Sequence, residues 1–257
     1  MRLVPHGMVR LTMLMAVAVS AFAQTVLIPA GKFSMGRHKL TDDDKTKMRP
    51  QVLLDDRPVH DVTIDAFRLD STEVTHAQYA EFIKATQRAA PYHWKGGTVP
   101  AGLEKVPAYN VTWDDARAYC EYRGQRLPTE AEWERAARGG LEAQDYPWGD
   151  KFDAKLLRSG VETGPGEVAK FPPNAFGLYD MAGNLSEWTA DWFEREYYAK
   201  SPAANPTGPA DGLYRIIRGG AWSDSPRRVT VYFRNWVRPS QRQPNIGFRC
   251  AQSILNN

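Results

Sequence analysis

Residues 174–188 read NAFGLYDMAGNLSEW, with two acids, Asp180 and Glu187, seven positions apart and Gly183 and Asn184 between them. Glycine and asparagine accept the left-handed backbone that a tight turn requires. A turn here gathers carboxylate and carbonyl oxygens, the donors that Ca²⁺ takes in sets of about six to eight. The same residues also suit a polar turn that satisfies its own backbone groups. The segment is short and loop-like, and the chain beyond it has the same character. After Gly139-Gly140 the sequence is broken at close intervals by Gly, Pro and Asn, and no long helical period survives.

Upstream the pattern is more regular. Val26–Ile28 and Gly31–Met35 read as short strands flanking a turn, and Arg37–Asp56 as a charged, exposed loop. Val59–Leu69 alternates apolar and polar residues, which predicts a half-buried strand. Three helices are expected. One follows Thr75, with Tyr79, Phe82 and Ile83 on one face, and a second follows Thr112, with Asp115 as its capping acid and Gly124 as its stop. The third follows Thr129, with Glu132 completing the box. No repeat or linker divides residues 24–257, so one domain is expected.

With 257 residues, 42% hydrophobic and 25% charged, the composition excludes a disordered, collagen-like or multi-span membrane chain. Residues 1–23 differ from the rest. Arg2 and Arg10 precede the apolar run Leu11–Ala23, which ends in Ala21-Phe22-Ala23, the order of a secretory signal peptide. Thirteen residues cover only about 20 Å of a ~30 Å hydrocarbon core, too little for a span. A periplasmic or secreted protein beginning near Gln24 is expected, its formal charge falling from +3 to +1. That balance gives no reason to expect a nucleic-acid partner. Two cysteines remain, Cys120 and Cys250. Export favours pairing, and two buried thiols are the alternative.

Established catalytic signatures are missing. There is no G-x-S-x-G, and His38, His60, His76 and His93 lack metal-ligand spacing, so each reads as a loop or packing residue. Gly139-Gly140 and Gly219-Gly220 have no following Lys-Ser/Thr for phosphate. Residues 222–238 concentrate Trp222, Asp224, Arg227, Arg228, Tyr232, Arg234, Trp236 and Arg238. Arginine with aromatic rings suits a recognition surface or an internal stacking network.

The ordered motifs resemble one family. Ile28-Pro29-Ala30-Gly31, Arg57-Pro58-Val59-His60, Glu73-Val74-Thr75, Val111-Thr112-Trp113 and Arg126–Glu134 form the N-terminal set. Pro147-Trp148-Gly149, Asn174–Trp188, Arg218-Gly219-Gly220-x-Trp222 and Gly247-Phe248-Arg249-Cys250 complete it. Over residues 26–252 the chain resembles the sulfatase-modifying-factor domain of the formylglycine-generating-enzyme family. The resemblance implies an α+β, elaborated C-type-lectin-like fold with little regular secondary structure. It implies a Cys120–Cys250 disulfide and one Ca²⁺ held by Asp180, Gly183, Leu185 and Glu187, with Gly183 and Leu185 giving carbonyls. A second family disulfide is absent at Ala137 and Arg234, and a second calcium site is not expected because Val161–Lys170 is shortened.

The family's copper cysteines fall at Asp224 and Val229, its active-site serine at Ala221 and its active-site tryptophan at Ser186. Copper is therefore not expected, because thiolates are what select Cu(I). A recognition module is expected instead, with Trp222, Asp224, Arg227 and Arg234 binding a protein, peptide, glycan or small anion. The alternative is an enzyme of different oxidative chemistry resembling periplasmic siderophore (pyoverdine) maturation members. Asp224, Tyr232 and Arg234 are its catalytic candidates.

Overall fold

A computed structural model describes residues 24–39, 55–161 and 163–254. The expected signal peptide at 1–23 and the middle of the charged 37–56 stretch lie outside the described residues. The strands are β1 (Thr25–Ile28), β2 (Gly31–Met35), β3 (His60–Ile64), β4 (Phe67–Asp70), β5 (Ser186–Trp192), β6 (Arg215–Arg218), β7 (Asn235–Val237), β8 (Ile246–Gly247) and β9 (Ala251–Ser253). The helices are α1 (His76–Thr86), α2 (Trp113–Tyr122) and α3 (Glu130–Arg138). One sheet has the order β1-β4-β9, β2 pairs with β3, and the largest has the order β7-β6-β5-β8. All pairs are antiparallel except β5 with β8.

All three helices start at capping boxes. Thr75, Thr112 and Thr129 each accept a hydrogen bond from the third helical residue, whose side chain accepts one in return. Each box satisfies two of the donors that a helix start leaves without a partner. The predicted strand over Val59–Leu69 is two strands. Asp65 and Ala66 interrupt it, so that β3 joins β2 while β4 joins β1 and β9. The exposed loop predicted for Arg37–Asp56 is also corrected at its ends. Arg37, Asp55 and Asp56 are buried, and Arg37 Nε lies 3.0 Å from an Asp56 carboxylate oxygen. A charge run reads as solvated only while its charges lack partners inside.

Two apolar cores lie under the loops. One packs Ile28, Phe33, Val62, Phe67 and Leu178 around Trp133 of α3. The other packs Tyr79, Phe82, Tyr119, Trp188 and Phe248 between α1, α2 and β5. Cys120 of α2 and Cys250 form a disulfide in the second core and close a separation of 130 residues. Among the described residues no helix is long and apolar enough to cross a membrane.

Candidate functional site

β6 ends at Arg218, and the chain then reverses through Gly219 and Gly220, both at positive φ. A Cβ on Gly220 would stand 2.4 Å from the Arg228 carbonyl oxygen, so no other residue fits that turn. Trp222 and Asp224 follow this turn, both partly exposed. The Trp222 N–H donates to the Asn184 carbonyl at 2.8 Å, and its indole N–H donates to the Pro244 carbonyl at 3.5 Å. The Asp224 carboxylate accepts the Ala221 N–H at 2.9 Å and faces the exposed Arg228 guanidinium at 3.5 Å. It therefore closes the turn as well as carrying charge. Arg227 lies in the single helical turn Pro226–Val229 and is exposed.

Asn184 organises the floor of this face, which the sequence did not reveal. At φ 59° it donates its amide to Glu73 at 2.9 Å and accepts the Gly166 N–H at 2.9 Å. Glu73 also accepts the Leu185 N–H. These partners lie 111 and 112 residues apart, beyond any local motif.

Trp222, Asp224 and Arg227 thus lie on the partly exposed segment that follows the Gly219-Gly220 turn, while the other two expected residues are elsewhere. Arg234 is buried, donating to Glu130 at 2.7 and 3.1 Å and to the Asp55 carbonyl at 2.7 Å, with Tyr198 stacked at 4.3 Å. Tyr232 belongs to the first core, and burial pushes its hydroxyl up to about 12. Val229 is fully buried, and Ser186 lies in β5 at 3% exposure.

Of the four calcium candidates, Gly183 and Leu185 flank Asn184. Asp180 and Glu187 approach closely enough that the Glu187 charge adds to burial in raising the Asp180 carboxyl. Glu73 completes the group and is pushed well above its ordinary value by burial, then by Asp180 and Glu187. The guanidinium of Arg249 holds Glu187 at 2.7 and 2.8 Å, and the Trp133 indole donates to it at 2.8 Å. Three acids near one guanidinium leave an excess of negative charge, and the donors there are all oxygen, the type a hard cation takes. Among the described residues no three His, Cys, Asp or Glu side chains converge as metal ligands, so carbonyls would have to supply most of the shell.

Beside this face runs a polar chain that the sequence gave no sign of. His76 and His93 meet through their Nε2 atoms at 3.1 Å, and His93 stacks on Tyr109 at 4.4 Å. His76 Nδ1 faces the Val106 carbonyl, which can only accept, so Nδ1 carries the proton and Nε2 accepts from His93. Asn110 then donates to His93 Nδ1 and accepts from the Tyr92 hydroxyl. The Asn110 N–H donates to the Gln243 carbonyl, one residue from the Pro244 that holds Trp222. Burial lowers His76 to about 4 and also lowers His93.

Fold and site define an α+β domain of the elaborated C-type-lectin-like kind. The chain belongs to the sulfatase-modifying factor enzyme 1-like domain family, whose model matches residues 12–254. It is 34% identical over 289 residues to the formylglycine-generating enzyme of Streptomyces coelicolor, covering 88% of each. It is also 34% identical over 252 residues to a serine/threonine-protein kinase of Chlamydia pneumoniae, covering 90% of this chain but 38% of the kinase's length. The solved structure of PvdO from Pseudomonas aeruginosa superposes with a TM-score of 0.76 at 29% identity, covering 90% of this chain and 94% of that one.

Proposed function

We propose that the chain is an exported recognition domain in which the family's copper-dependent oxidation has been lost. One observation carries the reading. The only two cysteines of the sequence are joined to each other, so no thiolate is available at the Gly219-Gly220 turn. Asp224 and Val229 occupy the positions of the two copper cysteines. One is a carboxylate committed to its own turn and the other a buried alkyl group, and neither is a soft ligand. Copper does not fit this donor set.

The face that remains presents Trp222, Asp224 and Arg227, with Arg228 beside them. An indole and guanidinium groups on one short segment suit an anionic or aromatic group on a peptide, a glycan or a small molecule. Arg234 leaves the binding set because Glu130 holds it in the interior. A calcium ion at Asp180, Gly183, Leu185 and Glu187 would brace the Asn184 floor from behind. Residues 1–23 would direct the domain to the periplasm or out of the cell.

The likeness to PvdO supports a second reading, an enzyme of different oxidative chemistry on the same face, with Asp224 as the remaining acid. Two measurements separate the readings. A sulfatase-type C-x-P-x-R peptide, incubated with the protein with and without copper, should gain no formylglycine by mass spectrometry. Trp222→Ala combined with Arg227→Ala should abolish ligand retention or the cellular phenotype at an unchanged melting temperature. A folded double variant that behaves as wild type would place the function elsewhere on the surface.

A further inference from the structure

A large cavity lies apart from the Trp222 face. It encloses about 570 Å³, within the range of small-molecule sites, and neither Trp222, Asp224 nor Arg227 lines it. Ala66, Ala190 and the exposed Ile254 supply apolar surface above the buried Phe67 and Leu127, and Trp113, Arg117 and Glu121 form a wall, four residues apart on one side of α2. The opposing segments are the Asp65-Ala66 break between β3 and β4 and the stretch carrying Asn205 and Thr207.

The charges of this cavity do not balance. Arg126 is spent on Glu132, with two hydrogen bonds of 2.6 and 2.7 Å. Arg117 is spent on Glu121 at 2.7 Å and on Asp114 at 3.4 Å. Asp65 has no such partner. Its carboxylate accepts only the Asn205 amide at 2.9 Å, and among the described residues no cation pairs with it. Meanwhile Arg215 covers the Trp113 ring from 3.8 Å and is itself sandwiched by Trp192 at 3.5 Å, so positive charge already backs that wall. A ligand's apolar body is favoured at Trp113 and its positive charge at Asp65.

We propose that this cavity binds a small organic ammonium ion. Its ring-sized apolar body rests on Trp113, Ala190 and Ile254, and its ammonium group donates to Asp65 beside Asn205 and Thr207. The site is independent of the Trp222 face.

Calorimetric titration of the full chain with three probes of one shape tests this: phenethylamine, 2-phenylethanol and 3-phenylpropionate. The amine should saturate, with the carboxylate at least tenfold weaker and the alcohol between them. Asp65→Asn, an exposed substitution that keeps the Asn205 contact, should weaken the amine at least fivefold and leave the alcohol within twofold. Ala190→Leu, which reduces the cavity, should weaken all three probes, while the Trp222→Ala/Arg227→Ala variant should bind all three as wild type does. Preference for the carboxylate, amine binding indifferent to Asp65→Asn, or no saturable binding of any probe would overturn the assignment.

Discussion

Trp133 stands between two buried clusters of charge. Its indole N–H donates to Glu187 on one side, and Arg218 lies 5.5 Å from its ring on the other. On the Arg218 side, Glu130 and Glu134 meet Arg138, Arg218 and Arg234, so that guanidinium groups outnumber the carboxylates they grip. Burial pushes Glu134 up, but Arg138, Arg218 and the Gly36 N–H outweigh it, and the carboxyl rests below its ordinary value. On the Glu187 side, Arg249 grips Glu187 and is the one guanidinium among the described residues that acts on Glu73 and Asp180, both of which are raised. Glu134 and Glu73, both fully buried, are therefore shifted in opposite directions. The first cluster is a closed lock that needs nothing from outside. The second sets three acids against one guanidinium among the described residues.

The largest effect should come from opening the lock. Arg218→Met keeps the bulk but leaves Glu130 and Glu134 without one shared partner. Removing one member of a buried ionic network costs about 3–5 kcal/mol, because the charge left behind is desolvated and uncompensated. Urea denaturation should show that loss. A change below about 1 kcal/mol would mean the cluster is not the lock described here.

The disulfide comes next. Cys250 follows Arg249, so the Cys120–Cys250 bond anchors the segment that supplies the guanidinium gripping Glu187. Closing a loop of this length contributes at most about 5 kcal/mol in the chain-entropy model. Reduction, or Cys120→Ala with Cys250→Ala, should lower the melting temperature. Alkylation of both cysteines in the folded, unreduced protein would show that the bond is absent.

Calcium should act on the second cluster and not on the first. A ligand bound only by the folded state adds about 3 kcal/mol at a hundredfold excess over its Kd. EDTA should lower the melting temperature and excess Ca²⁺ restore it, with Asp180→Asn removing the response and Arg218→Met preserving it. A melting temperature indifferent to both additions would end the calcium assignment.

What the sequence disclosed divides along the same line as the two clusters. The helix starts were legible because Thr75, Thr112 and Thr129 find their capping partners three residues on, within a single turn of chain. The resemblance carried the fold, the disulfide and the loss of the copper cysteines. Hidden were the pairings that exist only after folding. Arg234 looked like a surface arginine among aromatic rings, and only the three-dimensional approach of Glu130, 104 residues away, takes it inside. His76 and His93 carry no ligand spacing, yet α1 and the loop after it bring their rings into one hydrogen-bonded chain. Composition shows that charges are present. Their partners are a property of topology.

The smallest effect is a pair of opposed pH slopes. Burial raises Asp55 to about 6, with Asp56 and Glu130 adding to the rise and Arg234 opposing it; one carboxylate oxygen of Asp55 is buried without a hydrogen bond. An acid raised in the fold stabilises it below the unfolded value near 4, and that contribution is lost as pH rises through about 6. His76 runs the other way. Buried among Trp94, Tyr109 and His93, it is lowered to about 4, so its contribution is full above about 6.5 and lost as pH falls toward 4. Each shift corresponds to roughly 3 kcal/mol at about 1.4 kcal/mol per pH unit, and between pH 4 and 6 the two slopes oppose each other. Relative to wild type, Asp55→Asn should therefore gain stability as pH rises from 4 to 6, and His76→Gln should gain it as pH falls over the same range. Urea midpoints at pH 4, 5, 6 and 7 read both directly. If both variants tilt the profile in the same direction, one of the two groups is not buried in the state assigned to it.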